Sequence, residues 1–155
     1  MSPPTSFSSA DLSAIRTTFA SAARDPKATA AGFYAALFRL DPSLRALFHG
    51  DMNNQGEKLM NMLTLIVSGL ERLDHLLPTV RQLGQRHAGY GVTDAHYATV
   101  GAALIEALRQ QAGTVWTKEA ETAWTTAYGL LAETMRGAAA QVSPSPAGRS
   151  GRAVG

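Results

Sequence analysis

The chain has 155 residues, 45% of them apolar, a globular composition and a length that suits one domain with a substantial core. It carries no cysteine, which excludes disulfides, thiolate metal sites, iron–sulfur clusters and thiol nucleophiles. The net charge of +2 comes from Arg149 and Arg152 near the C-terminus, so residues 1–148 balance to zero and offer no electrostatic footprint for nucleic acid or a membrane surface. The start, Met1-Ser2-Pro3-Pro4, lacks the basic flank and apolar stretch of a signal peptide. No apolar run approaches the ~18 residues of a membrane span. A cytoplasmic protein is expected.

Residues 1–7 are Pro/Ser-rich and expected to be flexible. Ser8 or Ser9 suits an N-cap, with Asp11 in the first turn and Leu12, Ile15 and Phe19 at helical spacing. Asp25-Pro26 places a capping side chain before a proline at the first helical position, so a second helix runs to about Leu40 with Ala30, Phe33, Tyr34, Leu37 and Phe38 on one face. Asp41-Pro42 repeats that signal and predicts a short helix ending near Leu47-Phe48. From about Asn54, Leu59, Met62, Leu63, Ile66, Val67 and Leu70 keep one face apolar, and the pattern continues through Leu73, Leu76 and Leu77 to Pro78, which is expected to open a new segment. Val80, Leu83 and His87 share the next apolar face, which Gly89 and Gly91 end. Thr93 or Asp94 caps a helix with Tyr97, Val100, Leu104, Ile105 and Leu108 inward, and Gly113 breaks it. Thr117 starts the last helix, whose inner face is Trp124, Tyr128, Leu131 and Met135. The domain is expected to end at residue 141, and the Pro/Ser/Gly/Arg composition of 142–155 predicts a disordered tail.

Period-2 alternation is absent, and no internal repeat is present. The fold class is all-α, with seven or eight helices of unequal length, which argues against an up-down four-helix bundle. There is no G-x-S-x-G elbow and no Gly-rich phosphate loop. His49, His75 and His96 read as surface or helix-cap residues, without metal-ligand spacing between them. His87 lies on an apolar face; taken alone, that pattern describes a core histidine satisfied by backbone at least as well as a ligand.

Five motifs in order settle the choice. Phe33-Tyr34-Ala35-Ala36-Leu37-Phe38, Leu47-Phe48, Arg86-His87 followed by Gly91-Val92, His96-Tyr97-Ala98-Thr99-Val100-Gly101, and the stretch Ala123-Trp124 to Ala132 resemble the bacterial single-domain globins of the flavohaemoglobin lineage over roughly residues 8–140. The chain is especially similar to the compact methanotroph globins with tyrosine and glutamine over the haem. The resemblance implies a globin fold around haem b (iron protoporphyrin IX), with His87 as the iron's protein ligand. Neutral imidazole suits iron when its other nitrogen is tied to a carbonyl, and Leu83, one turn earlier, can supply one. Tyr97 resembles the family's tyrosine near that histidine.

On the opposite side the resemblance places Tyr34, Gln55 and Leu59. Gln55 stands 32 residues before His87 and shares a helix face with Leu59. Bound dioxygen is partly anionic, so phenol and amide donors favour it over carbon monoxide; a hydrogen bond to a charged group is worth ~1.5–3 kcal/mol. Amides bind iron poorly, so the ferrous protein is expected to be five-coordinate. Phe48 is expected on the porphyrin plane. Leu37, Met62, Val92, Val100 and Leu104 are candidate lining residues for which plain core packing is an equal reading. Lys58 and Arg86 are candidate propionate partners or simply solvated cations.

The family reading implies reversible binding of dioxygen, with nitric oxide and carbon monoxide as further ligands, and nitric oxide detoxification by dioxygenation. Larger members of the lineage carry a flavin reductase domain. This chain is expected to need an external reductase, and to be a monomer or weak dimer. The family's catalytic version has a glutamate late in the last helix; the register puts Gln141 there, with Glu133 eight residues early. The alternatives are a haem-based gas sensor or signalling module, or a haem-free helical interaction module.

Overall fold

The computed structural model of the chain describes residues 7–140. Its secondary structure there is entirely helical: α1 (Ser9–Ala23), α2 (Pro26–Leu40), α3 (Met52–Gly69), α4 (Leu73–Gly89), α5 (Asp94–Ala112) and α6 (Lys118–Ala139). Three 3-10 segments, Pro42–Leu47, Leu70–Arg72 and Gly113–Val115, turn the corners between them. No helix among the described residues is long and apolar enough to cross a membrane. The expectations for the N-terminal residues 1–6, for Gln141 and for the tail lie outside the described residues.

Most helix starts follow from local chemistry. Ser8 and Asp11 form a capping box, Asp25 accepts from the Ala28 N–H ahead of Pro26, and Thr117 accepts from the Ala120 N–H. Each satisfies an amide that the first helical turn leaves without a partner. His96 takes part in the box that opens α5, accepting from the Thr93 N–H through Nδ1 at 3.0 Å. His49 and His75 are exposed.

Among the described residues the α-helices number six, fewer than the seven or eight expected, and the break expected at Pro78 is elsewhere. Pro78 lies inside α4. Its missing N–H forfeits one bond, to the Asp74 carbonyl, and both residues are exposed, where water can take over. The chain turns instead at Leu70–Arg72. Leu70, Leu73 and Leu76 are all buried at that corner, and a Cβ on Gly69 would lie only 3.0 Å from Leu76 Cδ1. The apolar stripe therefore runs on in sequence while the helix axis changes direction.

The core joins Ile15 and Phe19 of α1, Phe33 and Leu37 of α2, Leu63 and Val67 of α3, Val80 of α4, Leu104 and Leu108 of α5, and Trp124 of α6. Small residues set the helix spacings. A Cβ on Gly84 would fall 2.3 Å from the Met135 carbonyl oxygen, so α4 and α6 touch backbone to backbone. The buried polar groups are paired: Trp124 Nε1 donates to Thr18 Oγ1 (2.8 Å), which donates to the Ala14 carbonyl (2.8 Å), and the Thr29 hydroxyl donates to the Ala22 carbonyl (2.7 Å).

Candidate functional site

His87 ends the amphipathic face of α4. Its Nδ1 lies 2.7 Å from the Leu83 carbonyl oxygen. A carbonyl only accepts, so Nδ1 carries the proton and Nε2 keeps its lone pair. Burial lowers the pKa of the ring; the bond to Leu83 pushes the other way, and Arg86 adds to the lowering. The net effect is a neutral imidazole at pH 7. The backbone here is pinned as well, since the His87 carbonyl accepts from the N–H groups of Tyr90 (3.0 Å) and Val92 (3.1 Å). Gly91 makes that turn with φ +94°, and a Cβ there would lie 3.8 Å from Leu47 Cδ2. The α4–α5 corner is thereby brought to the corner that holds Phe48.

Tyr34 and Gln55 come together. The Tyr34 hydroxyl donates to the Gln55 backbone carbonyl at 3.2 Å, and Gln55 is 8% exposed rather than solvated. Burial pushes the Tyr34 pKa up to about 12, so the phenol keeps its proton. Its ring meets Phe33 edge-on (4.9 Å), stacks on Phe38 (6.0 Å) and meets Phe48 edge-on (5.4 Å). This aromatic group fixes the phenol at the α2–α3 crossing, where a Cβ on Gly56 would lie 3.0 Å from Ala30 Cβ.

The candidate lining residues divide in two. Leu37, Leu83 and Leu104 are buried as ordinary core. Phe48, Leu59, Met62, Val92 and Val100 are only half-buried. Apolar side chains left part-exposed on the elements around His87, Gln55 and Tyr34 suit a flat apolar cofactor better than a finished protein core. Lys58 and Arg86 are exposed on α3 and α4.

Tyr97 is buried, which raises its pKa. Its carbonyl accepts from the Tyr128 hydroxyl at 2.6 Å, and the Arg136 guanidinium lies 5.8 Å from its ring centroid. Glu133 is exposed. Besides Tyr128, α6 thus brings a cation, Arg136, to Tyr97, which the sequence reading missed. Its position depends on the contact of Gly84 with Met135, which no local pattern reveals.

These residues fit a haem: a neutral imidazole with one free nitrogen, a protonated phenol beside a buried amide residue, and part-exposed apolar side chains. Comparison with known proteins agrees. The profile of the globin family matches residues 31–135. The flavohemoprotein of Bordetella parapertussis is 31% identical over 122 residues, 77% of this chain, and that of Bacillus subtilis 30% over 110 residues, 68% of this chain. The chain spans 30% and 27% of the lengths of these two relatives. An engineered carbene transferase made from a candidate nitric oxide dioxygenase of Rhodothermus marinus superposes with a TM-score of 0.77 at 26% identity, covering 88% of this chain and 95% of that one. A bacterial globin from Campylobacter jejuni shares the fold, with TM-score 0.72 and 21% identity over 84% of this chain and 95% of its own. The chain belongs to the globin family, within the lineage of the bacterial flavohaemoglobins.

Proposed function

We propose that the protein holds haem b through His87 Nε2 and binds dioxygen reversibly on the side of Tyr34 and Gln55, in support of nitric oxide detoxification. The observation that carries this reading is the Leu83–His87 hydrogen bond, which fixes the tautomer with the lone pair on Nε2. Haem, when bound, supplies the iron at which dioxygen is held and nitric oxide is oxidised to nitrate.

The chain's own residues have separate tasks. Leu83 orients the imidazole and raises its basicity. Tyr34 offers a proton donor that ionises only near pH 12. Gln55 adds a buried amide residue at the same place. Phe48, Leu59, Met62, Val92 and Val100 cover the cofactor's faces and exclude water, which strengthens each polar contact inside. Lys58 and Arg86 pair with its carboxylates at the rim. Sustained conversion of nitric oxide to nitrate would need electrons returned to the cofactor by a reductase. The names of the flavohemoproteins and of the Rhodothermus marinus protein support this assignment.

The test is spectroscopic. Purified protein is expected to be red, with an intense violet band that moves on reduction and moves again under carbon monoxide. His87→Ala is expected to retain haem more weakly and to shift that band, while staying helical by circular dichroism. A folded wild-type protein that stays colourless after incubation with haem overturns the reading. Sustained nitric oxide consumption with a supplied reductase then separates catalysis from carriage.

A further inference from the structure

Of the lysines and arginines among the described residues, Arg136 on α6 is the one that is half-buried; the others are exposed. Burial ordinarily demands an acidic partner for a cation. Here the pattern is reversed. The exposed Arg16, Arg39 and Arg109 pair with Glu71, Glu106 and Glu121, whereas Arg136 forms no ion pair among the described residues. Its guanidinium lies instead 5.8 Å from the ring centroid of Tyr97, and an aromatic face attracts a cation without neutralising it.

Tyr97 is held in place. It is buried, and its carbonyl accepts from the Tyr128 hydroxyl at 2.6 Å. The Tyr128 ring packs over Gly101, where a Cβ would lie 2.6 Å from Tyr128 Cε2. Of the two charges that act on the Tyr97 phenol, Arg136 outweighs Asp94.

The turn of α6 that carries Arg136 also backs the turn of α4 that orients His87. Met135, the neighbour of Arg136 in sequence, sets its backbone against Gly84 so closely that a Cβ there has no room. The peptide between Leu83 and Gly84 supplies the carbonyl that bonds His87 Nδ1 at 2.7 Å. Met135-Arg136 thus clamps the group that orients His87 and brings a positive charge to the same corner.

We propose that Arg136 is a positioning residue: seated on Tyr97, at the α6 turn that packs on the Leu83–Gly84 peptide, its charge biases a cofactor held by His87 toward the reduced, dioxygen-binding state. The proposal rests on the haem reading above. Uptake of one electron from a reductase lowers the charge of the site by one unit, and a neighbouring cation favours the less positive state. At an effective dielectric of about 20, a unit charge shifts such an equilibrium several-fold even from roughly 15 Å. A guanidinium keeps its charge at every physiological pH, so the bias is permanent, unlike one that a histidine would supply.

The test is an anaerobic redox titration of the haem-loaded protein against dyes, followed by its absorption. Arg136→Met removes the charge and keeps an apolar chain on the Tyr97 ring. It is expected to shift the one-electron equilibrium about three- to tenfold against the reduced form, about 30–60 mV at ~59 mV per decade. Arg136→Gln repeats the neutral case, so the comparison survives if the Met variant misfolds. Arg136→Lys restores the charge and is expected within about twofold of wild type, whereas Arg136→Glu is expected to shift further in the direction of the neutral variants. A shift below about twofold in the neutral variants and Arg136→Glu, or a shift in Arg136→Lys as large as in the neutral variants, overturns the proposal and leaves the haem reading intact. Wild-type protein that stays colourless after incubation with haem overturns both.

Discussion

Tyr34 donates its hydroxyl to the Gln55 carbonyl, so a bound ligand that recruits the phenol must first displace that bond. A hydrogen bond to a partly anionic ligand is worth ~1.5–3 kcal/mol and the neutral one it replaces ~1 kcal/mol. The net gain of roughly 0.5–2 kcal/mol sets the expected effect of Tyr34→Phe: dioxygen dissociation faster by about 2- to 30-fold. Stopped-flow displacement of dioxygen by carbon monoxide measures it, and an unchanged rate shows that the phenol never leaves the Gln55 carbonyl. The protonation state adds a second check. Burial raises the Tyr34 pKa to about 12, so the donor persists through the range near pH 10 where an ordinary tyrosine ionises. The wild-type dissociation rate is expected to stay flat from pH 7 to 10. A rise centred near 10 contradicts the buried phenol.

At the level of helices, position is decided by contacts that leave little room. A Cβ on Gly84 would lie 2.3 Å from the Met135 carbonyl oxygen and 2.6 Å from its Cα, and backbone cannot yield as a flexible side chain does. Gly84→Ala is expected to cost ~1–3 kcal/mol as overpacking, measured as an earlier midpoint in urea unfolding. His87 follows three residues later on the same helix, so a displaced α4 also shifts its imidazole, and weaker haem retention is expected with the lost stability. The Arg39–Glu106 pair works differently. It joins α2 to α5 through two hydrogen bonds of 2.9 and 2.7 Å, and the bond to Arg39 lowers the Glu106 pKa. A lowered folded pKa means stabilisation that is present above the ordinary glutamate pKa of about 4.3 and fades as pH falls below it. Glu106→Gln is therefore expected to be less stable than wild type at pH 7, with the difference closing toward pH 3. A gap that persists at pH 3 shows that packing, not charge, makes the difference. The two features differed in how far sequence could disclose them. Asp25-Pro26 and Asp41-Pro42 announced their helices because capping is local. The corner at Leu70–Arg72 was hidden because Leu70, Leu73 and Leu76 keep helical spacing around the bend, and Arg136 over Tyr97 because it depends on two helices distant in sequence.

For the molecule as a whole, the balance of buried and part-buried apolar residues is the informative quantity. Ile15, Leu37, Val80 and Leu108 are at 0–1% exposure, a finished core. Phe48, Leu59, Met62, Val92 and Val100 are half-buried on the elements around His87. Periodicity marked Leu59, Met62 and Val100 as inward-facing but could not separate core from cofactor lining, because both demand apolar residues at the same helical spacing. Only the uneven burial divides them. If those side chains complete their burial on haem, binding and folding are linked. A ligand that binds the folded state at about 1,000 times its dissociation constant stabilises it by ~4 kcal/mol. For a chain of this size each kcal/mol moves the thermal midpoint by ~2–4 °C, so haem is expected to raise it by roughly 8–16 °C. Scanning calorimetry of the protein with and without haem measures the shift. His87→Ala is expected to keep part of it, since apolar contact survives loss of the iron bond, whereas Leu59→Asp should erase most. An equal midpoint with and without haem means that the half-buried side chains are surface and not lining. A rise that His87→Ala leaves untouched means that haem is held by packing alone, and the Leu83-oriented imidazole then has no part in retaining it.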